Sequence, residues 1–222
     1  MTDSDRRARP SLQEEASRYA LLRRLTPTLR HHMAGEFQPI GMMAALLERR
    51  MQQPSPDLAS LKDNCASIGN LSRNAAETCV NLMSWVAPRT QTDMPVSEAV
   101  AECVNLLATS LRFRGFALVN HTPEIAVRVP CTAVRSTLTA ALLAISDAAG
   151  GPADLQVQAR AQGAQVLIEV TLTPADRSAD NGGSEDYRAL DWNDVQALAS
   201  AEGVALERTA HTVRLTLTPS EL

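Results

Sequence analysis

Leu29-Arg30-His31-His32-Met33-Ala34-Gly35-Glu36-Phe37-Gln38-Pro39-Ile40 carries its apolar side chains at Leu29, Met33, Phe37 and Ile40, spaced so that all four fall on one side of an α-helix. The stripe extends back through Leu25 to Leu22 and forward through Ala44 and Leu47 to Met51. At about 100° per residue, His31 points nearly opposite to it and His32 sits on its flank. The spacing therefore predicts a long helix that presents His31 to solvent. Ser11, with Glu14 three residues later, matches a capping box that opens this helix, and residues 1–10 ahead of it read as a disordered tail. Pro27 is expected to kink the helix or, with Thr26 as cap, to start it afresh; Pro39 is expected to bend it.

Gln53-Pro54-Ser55-Pro56-Asp57 breaks the pattern, and Asp57 is placed to cap a second helix, to about Val86, whose apolar residues from Leu58 to Val86 again share one side. Two long helices with a short connection imply an antiparallel hairpin over residues 11–88, with an apolar face that it cannot cover alone. Pairing two hairpins about a two-fold axis buries both faces as a four-helix bundle, which predicts a homodimer. Folding of the hairpin onto its own second domain is the competing arrangement. The mostly polar, proline-bearing run Ala87-Pro88-Arg89-Thr90-Gln91-Thr92-Asp93-Met94-Pro95 reads as an interdomain linker.

From residue 96 to 222 the pattern is mixed. Val96 to Arg112 reads as a helix, Ala117 to Val119 and Ile125 to Val129 as strands, and Thr132 to Ala149 as an apolar helix. Leu155 to Arg160 and Gln165 to Leu172 alternate about Gln162-Gly163 like a hairpin. A loop is expected over Pro174 to Tyr187. Asp191 then caps a helix that Gly203 stops, and Val204 to Glu207 with Thr212 to Leu217 close the chain as strands. The fold class is thus two domains: a helical hairpin followed by an α+β sandwich with helices on one face of a mostly antiparallel sheet.

Composition excludes several classes. The net charge of -4 gives no general pull toward nucleic acid or an anionic membrane. No window approaches the roughly 18 uninterrupted apolar residues of a membrane span, and Met1 to Arg7 lacks a signal-peptide core, so the expected location is cytoplasmic. Aromatics make up 3% of the chain, leaving aliphatic side chains to supply the packing. Cys65, Cys79, Cys103 and Cys131 show no C-x-x-C spacing, which argues against a zinc or redox motif and for buried free thiols. His121 and His211 have no companion at ligand spacing, so no metal site is expected.

An exposed neutral imidazole can take a phosphoryl group on a ring nitrogen and pass it on. The opening stretch, continued by Met43-Ala44-Ala45-Leu46-Leu47, resembles the phosphoacceptor helix of sensor histidine kinases, of the form LRHDLRNPLTAILGFAELL, in a register that puts the phosphoacceptor at His31. The chain departs from that pattern at His32, where the family has an acid, at Gly35, where it has Asn or Thr, and at Glu36, where it has Pro. Arg135 to Ala148 is similar to the RQVLLNLLLNALDA helix of the family's ATP-binding domain, with Ala140 and Ala144 in place of asparagines. Ile168 to Pro174 lacks the D-x-G-x-G that follows the corresponding strand. A histidine hairpin followed by a kinase-like domain without its nucleotide motifs resembles the dimeric histidine phosphotransferases of the ChpT type.

That resemblance implies a phosphotransfer protein that uses no ATP and no cofactor, with a response-regulator receiver domain or a histidine kinase as partner. His31 is the expected phosphoacceptor and His32 the secondary candidate. Glu36, one turn beyond His32, is a candidate orienting group. Arg23, Arg24 and Arg30 are candidates for steering an acidic receiver, with a solvated helix face as the alternative. A non-catalytic kinase-like dimer that binds a receiver or a kinase is the alternative function, and a kinase that binds nucleotide through other residues is a third.

Overall fold

A computed structural model of the chain describes residues 10–86, 92–176 and 187–220. The expected tail up to residue 9, the linker residues 87–91 and most of the expected loop, 177–186 with Gly182-Gly183, lie outside the described residues. The fold comprises two units. One runs from Leu25 to Arg89; the other joins the start of the first helix, through Arg24, to the chain from Thr90 onward.

Helix α1 (Leu12–Met51) opens as its capping spacing predicts, with the Ser11 hydroxyl accepting from the Glu14 amide at 3.1 Å. It is one continuous helix, with both Pro27 and Pro39 inside it. Each proline deletes a single ladder bond, which 40 residues of surrounding helix tolerate. Within Leu12–Arg24 the buried positions are Ser17, Ala20, Leu21 and Arg24, so the buried face here is turned toward Leu21, and Leu22 is only half-buried.

Asp57 opens α2 (Leu58–Val86), its carboxylate accepting from the Ala59 amide at 3.1 Å. At the turn between the helices, Arg50 Nη1 donates to Ser60 Oγ at 2.5 Å and to Asn64 Oδ1 at 3.2 Å. In the hairpin unit Leu25, Thr28, Leu29, Asn64, Ala75 and Leu82 are buried. The rest of the predicted stripe is not: Phe37 is 51% exposed, Met42 beside it 66%, and Leu58 77%.

Strand β1 (Asp93–Pro95) occupies the end of the expected linker and pairs antiparallel with β3 (Arg128–Pro130). Between them come α3 (Val96–Phe113) and β2 (Ala117–Asn120). The strand expected from Ile125 begins only at Arg128, because the Val127 carbonyl accepts from the Val96 amide at 2.9 Å, at the start of α3. The rest of this unit is α4 (Cys131–Ala148), β4 (Ala153–Gln162), β5 (Gln165–Pro174), α5 (Trp192–Ala201), β6 (Ala205–Arg208) and β7 (Thr212–Leu217).

The main sheet has the order β2-β4-β5-β7-β6, with β2 parallel to β4 and every other pair antiparallel. Alternation sets its inner face: Leu155, Val157 and Ala159 on β4, Ile168 and Val170 on β5, and Val213 and Leu215 on β7 are buried. Helices α3 and α4 pack on this sheet, with α4 between α3 and α5. Gly163, at φ +59°, turns β4 into β5, and Gly203, at φ +68°, ends α5, both where a side chain is disfavoured. The largest fully buried side chains are all Leu, Ile or Val, as the scarcity of aromatics predicts. No helix among the described residues is long and apolar enough to cross a membrane.

Candidate functional site

On α1 the His31 side chain is exposed and His32 is half-buried, which is how the 100° wheel orders them. The neighbours of His31 on the C-terminal side of the helix surface are small. Ala34 and Gly35, three and four residues on, are both exposed, as is Pro27 four residues before. A Cβ added at Gly35 would meet nothing within 4 Å. The imidazole therefore stands on a low surface that a partner can approach. Glu36 is half-buried, one turn beyond His32 on the flank.

The three candidate arginines have different environments. Arg30 is exposed. Arg23 lies over the Tyr187 ring, its guanidinium carbon 4.0 Å from the centroid, a cation–π geometry that occupies one of its faces. Arg24 is withdrawn from the set, because its side chain is only 3% exposed and it grips Asp147 in a two-pronged ion pair. Nη1 reaches Oδ2 at 2.6 Å and Nη2 reaches Oδ1 at 2.9 Å. A guanidinium so enclosed is unavailable to steer a partner.

Asp147 is the centre of this cluster. Its Oδ1 also accepts from Arg114 Nη2 at 2.6 Å and its Oδ2 from the Leu190 amide at 3.2 Å. Burial raises its pKa, but the hydrogen bonds and charge of Arg24, with Arg114 behind them, outweigh burial and hold the carboxyl below its usual range. A second carboxylate works the same way. Asp194 Oδ2 closes the capping box of α5 by accepting from the Asp191 amide at 3.1 Å, while Arg188 grips both oxygens at 2.5 and 2.8 Å. The Ser17 hydroxyl of α1 lies 2.9 Å from Asp194 Oδ1 and 2.8 Å from the Gln13 carbonyl, its one proton shared between them. Burial raises the Asp194 pKa as well; Arg188, the Asp191 amide and Ser17 bring it below the usual range. Arg18, bonded to Glu14 at 3.0 Å and Glu202 at 2.8 Å, adds a third tie. Sequence spacing identifies Asp191 as a cap but not Asp147 or Asp194 as anchors, because the α1 residues they bind, Arg24 and Ser17, are more than 100 residues away in the chain.

Ala140 and Ala144 are buried in α4. Three buried hydroxyls of that helix are turned back on its own backbone: Thr137 donates to the Ala133 carbonyl at 2.6 Å, Thr139 to that of Arg135, and Ser146 to that of Leu143 at 2.8 Å. Among the described residues, no group of three or more His, Cys, Asp and Glu side chains could hold a metal ion. His121 and His211 are both exposed. Cys103 and Cys131 are buried, as expected; Cys79 is half-buried and Cys65 is exposed, contrary to expectation, at a position of the stripe that the single hairpin leaves open. Burial pushes the Cys131 thiol up to about 11 and that of Cys103 well above its usual value, so neither is a ready nucleophile.

No family model and no curated protein matches the chain. Among solved structures it is similar to the Acinetobacter baumannii histidine kinase AdeS, at 10% identity over 81% of this chain and 96% of that one, with a TM-score of 0.46. It is also similar to histidine kinase ThkA in complex with response regulator protein TrrA, at 13% identity over 94% of this chain and 65% of that one, with a TM-score of 0.43. A bacterial phosphotransferase overlays at 18% identity over 93% of this chain and 98% of that one, with a TM-score of 0.38.

Proposed function

We propose that the chain is a histidine phosphotransfer protein that relays phosphoryl groups between receiver domains of response regulators, with His31 as the acceptor. The observation that carries this reading is the exposed imidazole on its low surface of Ala34 and Gly35, in a stretch that resembles a phosphoacceptor helix. In the forward step, a ring nitrogen attacks the phosphorus of a receiver's aspartyl phosphate. The P–N bond forms as the P–O bond breaks, and the electron pair leaves on the aspartate carboxylate. Donation to a second receiver is the reverse step. In this reading His32 is the secondary acceptor, with Glu36, one turn beyond it on the flank, as its orienting group. Arg30 remains the arginine suited to an acidic partner.

The nucleotide plays no part in this proposal, and the burial of Ala140 and Ala144 in α4 supports that. Alanine has no atom to bind a metal or a phosphate at those positions. The domain organisation we propose is a phosphotransfer hairpin followed in the chain by a kinase-like domain, assembled as a homodimer in the cytoplasm. Exposed Phe37, Met42 and Met51 on α1, with Leu58, Val80 and Met83 on α2, support a second copy that covers them.

His32 in the acidic position and Gly35 in the amide position favour a second reading, a dimer that binds a receiver without accepting phosphate. Incubating the protein and His31→Gln with phosphorylated receiver domains, and following acid-labile phosphate on the chain, separates the two. Labelling lost in His31→Gln supports the relay; receiver binding with no labelling of the wild type refutes it and leaves the scaffold.

A further inference from the structure

A cavity of about 610 Å³ opens where the end of α4, the start of β4, the end of β5 and the β6–β7 turn come together. Its floor is apolar, built by buried Ile145, Ala153 and Leu172. Backbone hydrogen bonds fix its walls. The Leu172 amide donates to the His211 carbonyl at 2.8 Å, holding the β6–β7 turn against β5, and the Ala175 amide donates to the Pro152 carbonyl at 3.0 Å on the opposite side. Thr209 Oγ1 stiffens the turn further by accepting from the Thr212 amide at 3.1 Å. Gly150 and Gly151 line the cavity, and a Cβ at either would meet nothing within 4 Å. The space is thus preformed, apolar and of the size that small ligands occupy.

Its electrostatics are one-sided. The ionisable side chains among the described lining residues are Arg208 and His211, and no carboxylate is among them, in a chain with 25 Asp and Glu. The Arg208 guanidinium lies 4.8 Å above the Trp192 ring, which holds it at the edge of the apolar floor. We propose that this cavity binds a small carboxylic acid with an apolar body, its carboxylate on Arg208 and its hydrocarbon against Trp192, Ile145 and Leu172. A carboxylate matches the planar, two-pronged donor set of a guanidinium, and the floor offers its body no polar partner to satisfy. This site uses no residue of the His31 face, so it stands or falls independently of the relay.

The test uses cyclohexanecarboxylate and neutral cyclohexanecarboxamide, both transparent where tryptophan is read. In the Trp85→Phe variant of this chain, Trp192 is the one tryptophan left of two. Titration of the carboxylate should change Trp192 emission saturably, with matching heats by calorimetry, and the amide should bind about tenfold more weakly. Arg208→Gln should bring the acid down to the affinity of the amide. Gly151→Leu should abolish binding of both and leave the melting midpoint within a few degrees of wild type; if it destabilises the fold, Gly150→Leu replaces it. The proposal is overturned if neither probe binds saturably up to its solubility limit, if acid and amide bind equally, or if filling the cavity leaves the affinity unchanged.

Discussion

Replacing Asp147 by alanine removes the carboxylate that fastens the start of α1 to α4. That carboxylate accepts four hydrogen bonds, two from Arg24, one from Arg114 and one from the Leu190 amide. With it gone, the Arg24 guanidinium stays enclosed and its counter-charge is lost, a change that costs about 3–5 kcal/mol where a buried pair is broken from one side. Arg114 is 22% exposed and can turn to water, which argues for the lower end, about 3 kcal/mol. For a chain of this length that is a fall of about 6–12 °C in melting midpoint. Urea unfolding of wild type, Asp147→Ala, Arg24→Ala and the double variant gives the coupling directly, with an expected interaction energy of about 2 kcal/mol. Arg24→Met with Asp147→Leu, which removes both charges and keeps volume, should recover most of the loss. A cost below about 1 kcal/mol for Asp147→Ala, or singles that simply add in the double, refutes the anchor.

The same carboxylates set the acid limit. Because Asp147 and Asp194 are held below their ordinary range when folded, the stability they supply is fully present above the unfolded value near 3.9 and is lost as pH falls through the folded values. Stability should thus decline below about pH 4, and Asp147→Asn should show a flatter decline there; parallel acid limbs for the two proteins contradict the assignment. Ser17→Ala deletes the hydroxyl shared between Asp194 and Gln13 and should cost about 1–2 kcal/mol in urea unfolding, whereas Ser72→Ala, at an exposed position of α2, should cost almost nothing. Phe37→Glu places a charge on the uncovered side of the hairpin and should shift the mass by light scattering from dimer to monomer with the helical circular dichroism unchanged; a wild type that is already monomeric at all concentrations removes the proposed bundle.

What was legible in the sequence is what short-range physics decides. Ser11, Asp57 and Asp191 open their helices where spacing puts them, because a cap satisfies amides two or three residues away. Gly163 and Gly203 mark a turn and a helix end because each has the positive φ that a side chain resists. The alternation of β4 and β5 shows which face is buried for the same local reason. Strand β1 escaped because its three residues owe their conformation to pairing with β3, more than thirty residues on, and a proline-bearing run looks like a linker until that partner is known.

Arg24 shows where short-range physics stops. Arg23, Arg24 and Arg30 are the same residue type on one helix, and composition offers no means of ranking them. A ranking signal does exist in the spacing: Ser17, Ala20, Leu21, Arg24, Leu25 and Thr28 follow one another by three, one, three, one and three, the repeat of a single helix face, and all six are buried. Three polar side chains on that face cannot be left without partners at low dielectric; a hydroxyl can turn to its own helix backbone, as Ser17 does to Gln13, but a guanidinium needs an acceptor from elsewhere in the fold. For Ser17 and Arg24 the structure supplies Asp194 and Asp147. The spacing could have shown that Arg24 needs a buried carboxylate, but only the tertiary fold could show which one. His31 differs in that its side chain is exposed, as are Pro27, Ala34 and Gly35 beside it on the helix, so its imidazole is open to a partner from another molecule.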